Sequence, residues 1–98
     1  METKVGNRET YERKFVDIFS PIPAKVDRAL VAPASRVHVG DQLVIMEEGG
    51  GNKFAVTSPV DGVVDSLHTI GGAHYGPGKN PLMIIDITVG ERQRKARR

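Results

Sequence analysis

The feature that most constrains this chain of 98 residues is an internal repeat. The segment that begins at Ser20 matches the segment that begins at Ser58, at an offset of 38 residues, because both start with Ser-Pro and an aliphatic residue. Further along, residues 43–47 match residues 82–86 at an offset of 39, so the second copy contains one extra loop residue. Each copy has a corner, a strand, a turn and a second strand that ends in an acidic residue. The repeat predicts one domain built from two similar units.

The apolar residues favour β-structure. Only five residues are Phe or Tyr and none is Trp, so a core must come from Val, Ile and Leu, which suit pleated sheets. The apolar runs are short and bounded by Gly and Pro, and none has a long helical stripe. We therefore predict an all-β domain of about six to eight short strands. One copy alone would expose an apolar sheet face, so two copies related by a pseudo-twofold axis should pack as a flattened sandwich or barrel of two small antiparallel sheets.

The charge distribution divides the chain into three parts. Residues 1–13 are polar and predict a partly disordered leader, followed by a folded domain over residues 14–89. Residues 90–98 form a basic tail, because the last eight residues hold five basic side chains and one acidic one, whereas the net charge of the whole chain is +2. Such a tail could attract nucleic acid or anionic lipid by charge alone, but it lacks the aromatic residues that would make binding specific.

Several classes of protein are excluded by the composition. The chain has no cysteine, so it forms no disulfide and no zinc–thiolate site. It has no apolar stretch near the roughly 20 residues that span a bilayer, and its first residues do not resemble a signal peptide. We expect a soluble domain without a membrane span, and the sequence leaves its compartment open between cytoplasm and periplasm.

Three consecutive glycines, residues 49–51, lie between two apolar runs at residues 43–46 and 54–56. Glycine adopts positive φ without a steric penalty, so this arrangement is typical of the tip of a β-hairpin. The tip would join the first copy to the second.

The two copies resemble the biotinyl/lipoyl domain, the small swinging carrier of biotin carboxylases and 2-oxo-acid dehydrogenases. Residues 30–47 fall at the spacing of that family's first half, residues 58–64 (Ser-Pro-Val-Asp-Gly-Val-Val) resemble its second-half signature, and residues 81–85 resemble its closing strand. The resemblance covers about residues 20–88 and implies a barrel-sandwich hybrid in which a tight hairpin carries a modified lysine.

The chain departs from the carriers at that hairpin. Counting back from Pro59 places the carrier lysine at Gly51, and counting forward from Glu47 places it at Gly50. The nearest amine belongs to Lys53, where the return strand should begin. The carrier position therefore lacks its lysine, and Lys53 is interpreted as an ordinary exposed strand residue.

A second relative has the same fold without the cofactor. Periplasmic adaptor proteins, also called membrane-fusion or HlyD-like proteins, contain a lipoyl domain that a long helical hairpin enters at this tip. Residues 57–64, the paired glycines at residues 71–72 and residues 81–83 resemble the second half of that domain. Here the tip is short, so we expect no helical hairpin.

Other chemistry receives little support from the sequence. His38, His68 and His74 are far apart along the chain, so we predict no metal site. Ser20 and Ser58 occupy symmetric proline corners, which indicates a structural role and no nucleophile. The glycines and lysine of residues 76–80 lack the remaining residues of a phosphate-binding loop and predict a tight turn. We predict no catalytic residues and no enzymatic activity.

These observations predict a non-catalytic biotinyl/lipoyl-like module that docks a protein partner or assembles a larger complex. It would be an adaptor-type lipoyl domain or a degenerate carrier subunit, with no cofactor. Its interaction surface would be the hairpin end, with the loop at residues 71–81 beside it. That surface comprises Glu47, Glu48, Gly49, Gly50, Gly51, Asn52, Lys53 and Phe54. The alternative is a swinging domain of a multienzyme complex that carries covalent biotin or lipoate on Lys53.

Overall fold

The computed structural model describes residues 13–88. Its named elements are eight β-strands, so the prediction of an all-β domain is confirmed. They are β1 (Phe15–Ile18), β2 (Ala24–Ala29), β3 (Arg36–Val37), β4 (Gln42–Glu47), β5 (Lys53–Thr57), β6 (Gly62–Leu67), β7 (His74–Tyr75) and β8 (Met83–Asp86). In this part of the chain no helix has the length and hydropathy to cross a membrane. The predicted tail and all but the last residue of the predicted leader lie outside the described residues.

The strands form two four-stranded antiparallel sheets. One sheet has the order β1-β8-β6-β3, and the other has the order β5-β4-β2-β7. Adding four to each strand number of the first order, and continuing from β8 to β1, gives the second order. The predicted pseudo-twofold repeat is therefore present in the topology, and each sheet takes strands from both copies.

The repeat extends to the pairing of individual residues. Val26 of β2 pairs with Met46 of β4, and the matching residues Val64 and Ile85 pair in the other sheet. Both strand pairs shift register at the same place, between residues 26 and 28 and between residues 64 and 66. Each shift is a β-bulge, which increases the local twist of a strand. The two sheets therefore share one register as well as one strand order.

The proline corners contain the same side-chain hydrogen bond in both copies. The hydroxyl group of Ser20 donates to the carbonyl oxygen of Ile22, and that of Ser58 donates to the carbonyl oxygen of Val60, each at 2.6 Å. Both serines are buried. A buried hydroxyl group needs a hydrogen-bond partner, so these bonds account for both serines as structural residues.

The core lies between the two sheets and is densest along their central strands. Leu43, Val44 and Met46 of β4 are fully buried, as are Met83 and Ile85 of β8. Two adjacent residues of β4 are buried because a register shift between residues 42 and 44 interrupts the alternation of the strand. Fully burying one such side chain stabilises a fold by about 1.5–3 kcal/mol.

The loop predicted over residues 71–81 contains a short strand. Residues His74–Tyr75 form β7, which pairs with Ala24 and Lys25 of β2. The equivalent strand of the first copy is β3, which pairs with β6 in the same register. The prediction missed β7 because two residues show no periodicity, and because the surrounding glycines and prolines are typical of loops.

The extra residue of the second copy lies just before β8. Gly40 and Gly78 are equivalent at the offset of 38 residues, and both have positive φ, of 93° and 72°. From Leu82 onward the offset is 39 residues, so the one inserted residue lies between residues 78 and 82. Asn80 has a φ of 50°, a left-handed conformation that asparagine tolerates better than most residues. This local backbone accommodates the insertion without changing the register of β8.

The two ends of the described chain run side by side. The amide of Ile87 donates to the carbonyl oxygen of Lys14 at 2.9 Å. The guanidinium group of Arg13 lies 2.7 Å from the buried carboxylate of Asp86, and the amide of Thr88 donates to the same carboxylate at 2.8 Å. Arg13, the last residue of the predicted leader, therefore helps to hold β1 against β8.

Replacing Gly62 with alanine should destabilise the sheet that contains β6. An added Cβ atom would lie 2.5 Å from the carbonyl oxygen of Asp86 and 2.7 Å from Cγ2 of Ile85. Because one of these atoms belongs to the backbone, we expect a loss of about 1–3 kcal/mol in the free energy of unfolding, measured by urea denaturation. Gly71→Ala is the matched control, since nothing lies within 4 Å of its added Cβ. Equal stability of the two variants would contradict this packing.

Asp86→Asn should lower stability in a way that depends on pH. Burial raises the pKa of Asp86, but hydrogen bonds from Thr88 and the Arg13 guanidinium outweigh it and lower that pKa below its ordinary value. A carboxylate with a depressed pKa stabilises the fold above the unfolded-state pKa, and this contribution is lost as the pH falls. The difference in free energy of unfolding between wild type and variant should therefore be largest near neutral pH and shrink below about pH 4.

Asp65→Asn serves as the control because Asp65 is exposed. We expect it to follow the wild type throughout the same denaturation series. A difference for Asp86→Asn that does not change with pH would contradict the role of the carboxylate charge.

Candidate functional site

The glycine stretch forms the tip of the hairpin between β4 and β5, as predicted. The amide of Glu48 donates to the carbonyl oxygen of Asn52 at 2.9 Å, and the amide of Gly51 donates to the carbonyl oxygen of Glu48 at 3.0 Å. Gly50 and Gly51 have φ values of 92° and 91°. Two consecutive residues with positive φ strongly favour glycine, so the local sequence determines the shape of this tip.

Lys53 lies on the side of the hairpin and not at its crest. It is the first residue of β5 and pairs with Glu47 across the hairpin. Its side chain is about half-exposed, and Nζ lies 3.5 Å from Oδ1 of Asp27. Nη1 of Arg28 lies 3.0 Å from Oδ2 of the same carboxylate. Asp27 is the bulged residue of β2, so the bulge places a carboxylate between two cations beside the tip.

The predicted interaction surface contains exposed and partly buried residues. Residues 49–53 are exposed, whereas Glu47 and Glu48 are half-buried. Phe54 pairs with Met46 and packs against the core, so its side chain contributes mainly to the fold. The part of this surface that faces outward consists of the glycine backbone, the Asn52 side chain and the charged groups around it.

A cleft of about 280 Å³ lies beside the tip and is called here the tip cleft. Its lining comes from strands β2, β4 and β7 together with the glycines of the tip, and includes Lys25, Glu47, Glu48, Gly50 and His74. The residue contributed by β7 brings the loop predicted over residues 71–81 next to the hairpin end. The tip cleft therefore combines two carboxylates with one lysine and one imidazole.

A larger cleft of about 430 Å³ is also lined by β7 and is called here the second-copy cleft. It is lined mainly by residues of the second copy, among them His68, His74, Tyr75, Asn80, Pro81 and Ile84. Sequence reasoning missed it, because the three histidines were considered only as metal ligands. A usable signal was present, since several of these residues differ in kind from their counterparts in the first copy.

The histidines do not converge on a metal site. His38 is exposed, and its Nδ1 atom lies 3.7 Å from Oδ2 of Asp41. His68 and His74 line the second-copy cleft. Within residues 13–88 no group of three or more His, Cys, Asp and Glu side chains has the arrangement of a metal site.

Residues 76–80 form a tight turn. The amide of Lys79 lies 3.5 Å from the carbonyl oxygen of Gly76, and the same two residues form an isolated β-bridge. This is the turn that the sequence predicts. The equivalent turn of the first copy has Asp41 donating its amide to the carbonyl oxygen of His38 at 2.9 Å, so the turn belongs to the repeat and needs no ligand to explain it.

Comparison of the chain with protein-family models and with curated proteins finds no match. The function must therefore be argued from the hairpin end and the two clefts.

The positive φ angles at the tip lead to a test of its geometry. Gly50→Ala should reduce the free energy of unfolding by about 1–2 kcal/mol, because a side chain in the left-handed region carries that cost. Gly49→Ala is the matched control, since its φ is not positive and nothing lies within 4 Å of its added Cβ. Chemical denaturation of both variants measures the difference. A loss of stability that is the same for both would contradict the described tip.

Proposed function

We propose that this chain is a non-catalytic module that docks a protein partner through the end of its β4–β5 hairpin. One observation carries the proposal: the crest of the hairpin consists of glycines, and Lys53, the lysine nearest to it in the sequence, lies on the strand beside an acidic partner. A swinging carrier needs its lysine at the crest, where a ligase can grasp the turn and the cofactor can move freely. The hairpin end described here offers a shaped surface without that amine.

The architecture supports a biotinyl/lipoyl-like module of this kind. Two small antiparallel sheets exchanged by a pseudo-twofold axis, with a tight hairpin between the copies, agree with what the resemblance implies for a barrel-sandwich hybrid. An adaptor-type lipoyl domain and a degenerate carrier subunit are two forms of this proposal. Both use the domain as a rigid block within a larger complex.

The charges of the tip cleft indicate what a partner should present. Glu47 and Glu48 are half-buried in its wall, and a partly desolvated carboxylate gains most from a charged hydrogen-bond donor. The exposed backbone of Gly49 and Gly50 can be approached closely, because neither residue has a side chain. A partner segment with an arginine or lysine would therefore fit this surface better than an acidic one. The small area of a hairpin end favours a transient contact or one part of a larger interface.

Modification of Lys53 is the alternative, and intact mass distinguishes the two functions. We expect the chain to keep its unmodified mass when it is co-produced with active biotin and lipoate ligases. A mass increase equal to either cofactor, which disappears in Lys53→Ala, would replace the docking proposal with a carrier function.

Docking is tested with a variant that adds positive charge to the hairpin end. Gly49→Arg combined with Asn52→Arg should reduce recovery of partners cross-linked in extracts of the source cells, because the added guanidinium groups repel a basic partner segment and crowd the backbone of the tip. Both positions avoid the strained residues at the crest. The readout is the ratio of each cross-linked partner to the recovered chain, determined by quantitative mass spectrometry.

Val39→Arg is the matched control for this experiment. Val39 is 65% exposed and precedes β4, so it lies at the end of that strand away from the tip. We expect this variant to recover the same partners as the wild type. Equal recovery by the tip variant, or equal loss in the control, would contradict docking through the hairpin end.

A further inference from the structure

Because the chain contains two similar copies, the wall of the second-copy cleft can be compared with the equivalent residues of the first copy. Most residues on its wall have a counterpart in the first copy, on a strand or turn with the same hydrogen bonds, except in the insertion between residues 78 and 82. Four wall residues differ in chemical kind from their counterparts. The pairs are His68 and Leu30, Ala73 and Ser35, His74 and Arg36, and Tyr75 and Val37.

The fold does not require the residues found in the cleft. The amide of His68 donates to the carbonyl oxygen of Leu82 at 2.9 Å, and the amide of Leu30 makes the equivalent bond to Leu43 at 2.8 Å. The same backbone is thus built with an apolar side chain in one copy and an imidazole in the other. The packing of the core therefore does not dictate which side chains stand at the exposed positions of His68 and His74.

Tyr75 differs from its counterpart in burial as well as in kind. Val37 is 1% exposed and belongs to the core, whereas Tyr75 is half-buried and packs against the edge of the core. The hydroxyl group of Tyr75 donates to the carbonyl oxygen of His68 at 2.7 Å. This bond joins β7 to the segment after β6 and holds the aromatic ring in the wall.

The polar groups of the cleft are hydrogen-bond donors or can become donors. The hydroxyl group of Ser66 lies 2.9 Å from Nε2 of His68, which restricts that imidazole and leaves Nδ1 as the ring nitrogen that can bond a ligand. In the part of the chain that the structure describes, the side chains of His74 and Asn80 have no hydrogen-bond partner. Among residues 13–88, none of those on the wall carries a carboxylate. The cleft is therefore suited to a ligand that presents hydrogen-bond acceptors.

The remaining lining is apolar. Ala73, Pro81 and Ile84 and the ring of Tyr75 provide a surface on which a flat apolar group can pack. The volume of about 430 Å³ is within the range of roughly 300–1,000 Å³ that is usual for sites of small molecules. A few polar groups on an apolar wall are also typical of such sites.

We propose that the second-copy cleft binds a small aromatic carboxylic acid. The ring packs on Tyr75 and Ile84, and the carboxylate accepts hydrogen bonds from His68, His74 and the amide group of Asn80. A charged acceptor forms the stronger bonds with such donors. This binding activity goes beyond docking at the hairpin end and does not depend on it, although His74 lines both clefts.

Phenylacetate and its neutral analogue phenylacetamide are the probes for this proposal. Both are titrated into the ¹⁵N-labelled full chain while amide chemical shifts are recorded. We expect saturable shifts at Ala73, Tyr75 and Ile84 with phenylacetate, with a Kd on the order of 1 mM. Phenylacetamide should bind about tenfold more weakly, because hydrogen bonds to a charged group are worth more than those to a neutral one.

The repeat supplies variants that should fold. His68→Leu introduces the residue that the first copy uses at the equivalent place, and it should weaken phenylacetate binding by about tenfold with an otherwise unchanged amide spectrum. Arg36→Ala, at the counterpart of His74, is the control and should bind as the wild type does. The proposal is overturned if phenylacetate gives no saturable shifts, if the amide binds equally well, or if His68→Leu keeps the wild-type affinity.

Discussion

The burial of one apolar sheet face against another holds this domain together. The central strands β4 and β8 supply fully buried side chains from opposite sheets, among them Leu43, Met46 and Ile85. Neither copy could cover its own apolar face, because each sheet takes strands from both copies. The corners, bulges and turns of the repeat therefore all serve one purpose, which is to bring two similar faces into register.

The sequence predicted this architecture because its strongest signals are local and occur twice. Ser-Pro corners, short aliphatic runs and glycine turns each identify a break or a strand. Because they recur at an offset of 38 or 39 residues, they also predict the number of strands. The strand that was missed, His74–Tyr75, is too short to show a period. Its existence depends on β2, whose free edge accepts it. That information lies in the packing of distant segments.

The same distinction between local signals and the packing of the chain applies to the candidate site. The hairpin tip could be predicted because Gly50 and Gly51 adopt positive φ, which is a property of glycine itself. The clefts were missed for different reasons. The tip cleft is lined by segments far apart in the chain, as Lys25 and His74 show. The second-copy cleft is lined by residues between 68 and 84, and its shape depends on how that loop folds. The position of Lys53 shows both effects. Its place on the return strand follows from counting residues, whereas its contact with Asp27 follows from a bulge that only the paired sheet reveals.

The pseudo-twofold axis also relates the hairpin tip to the ends of the described chain. The bond from Glu48 to Asn52 that closes the tip has its counterpart in the bond from Ile87 to Lys14, and both measure 2.9 Å. In one sheet a glycine turn joins β4 and β5 at this place in the repeat. In the other sheet the equivalent strands are β8 and β1, and here the chain leaves β8 and enters β1. Because the two places belong to different sheets, changes at the tip leave the pairing of β1 with β8 intact. The residues of the tip are therefore not needed to close the other sheet.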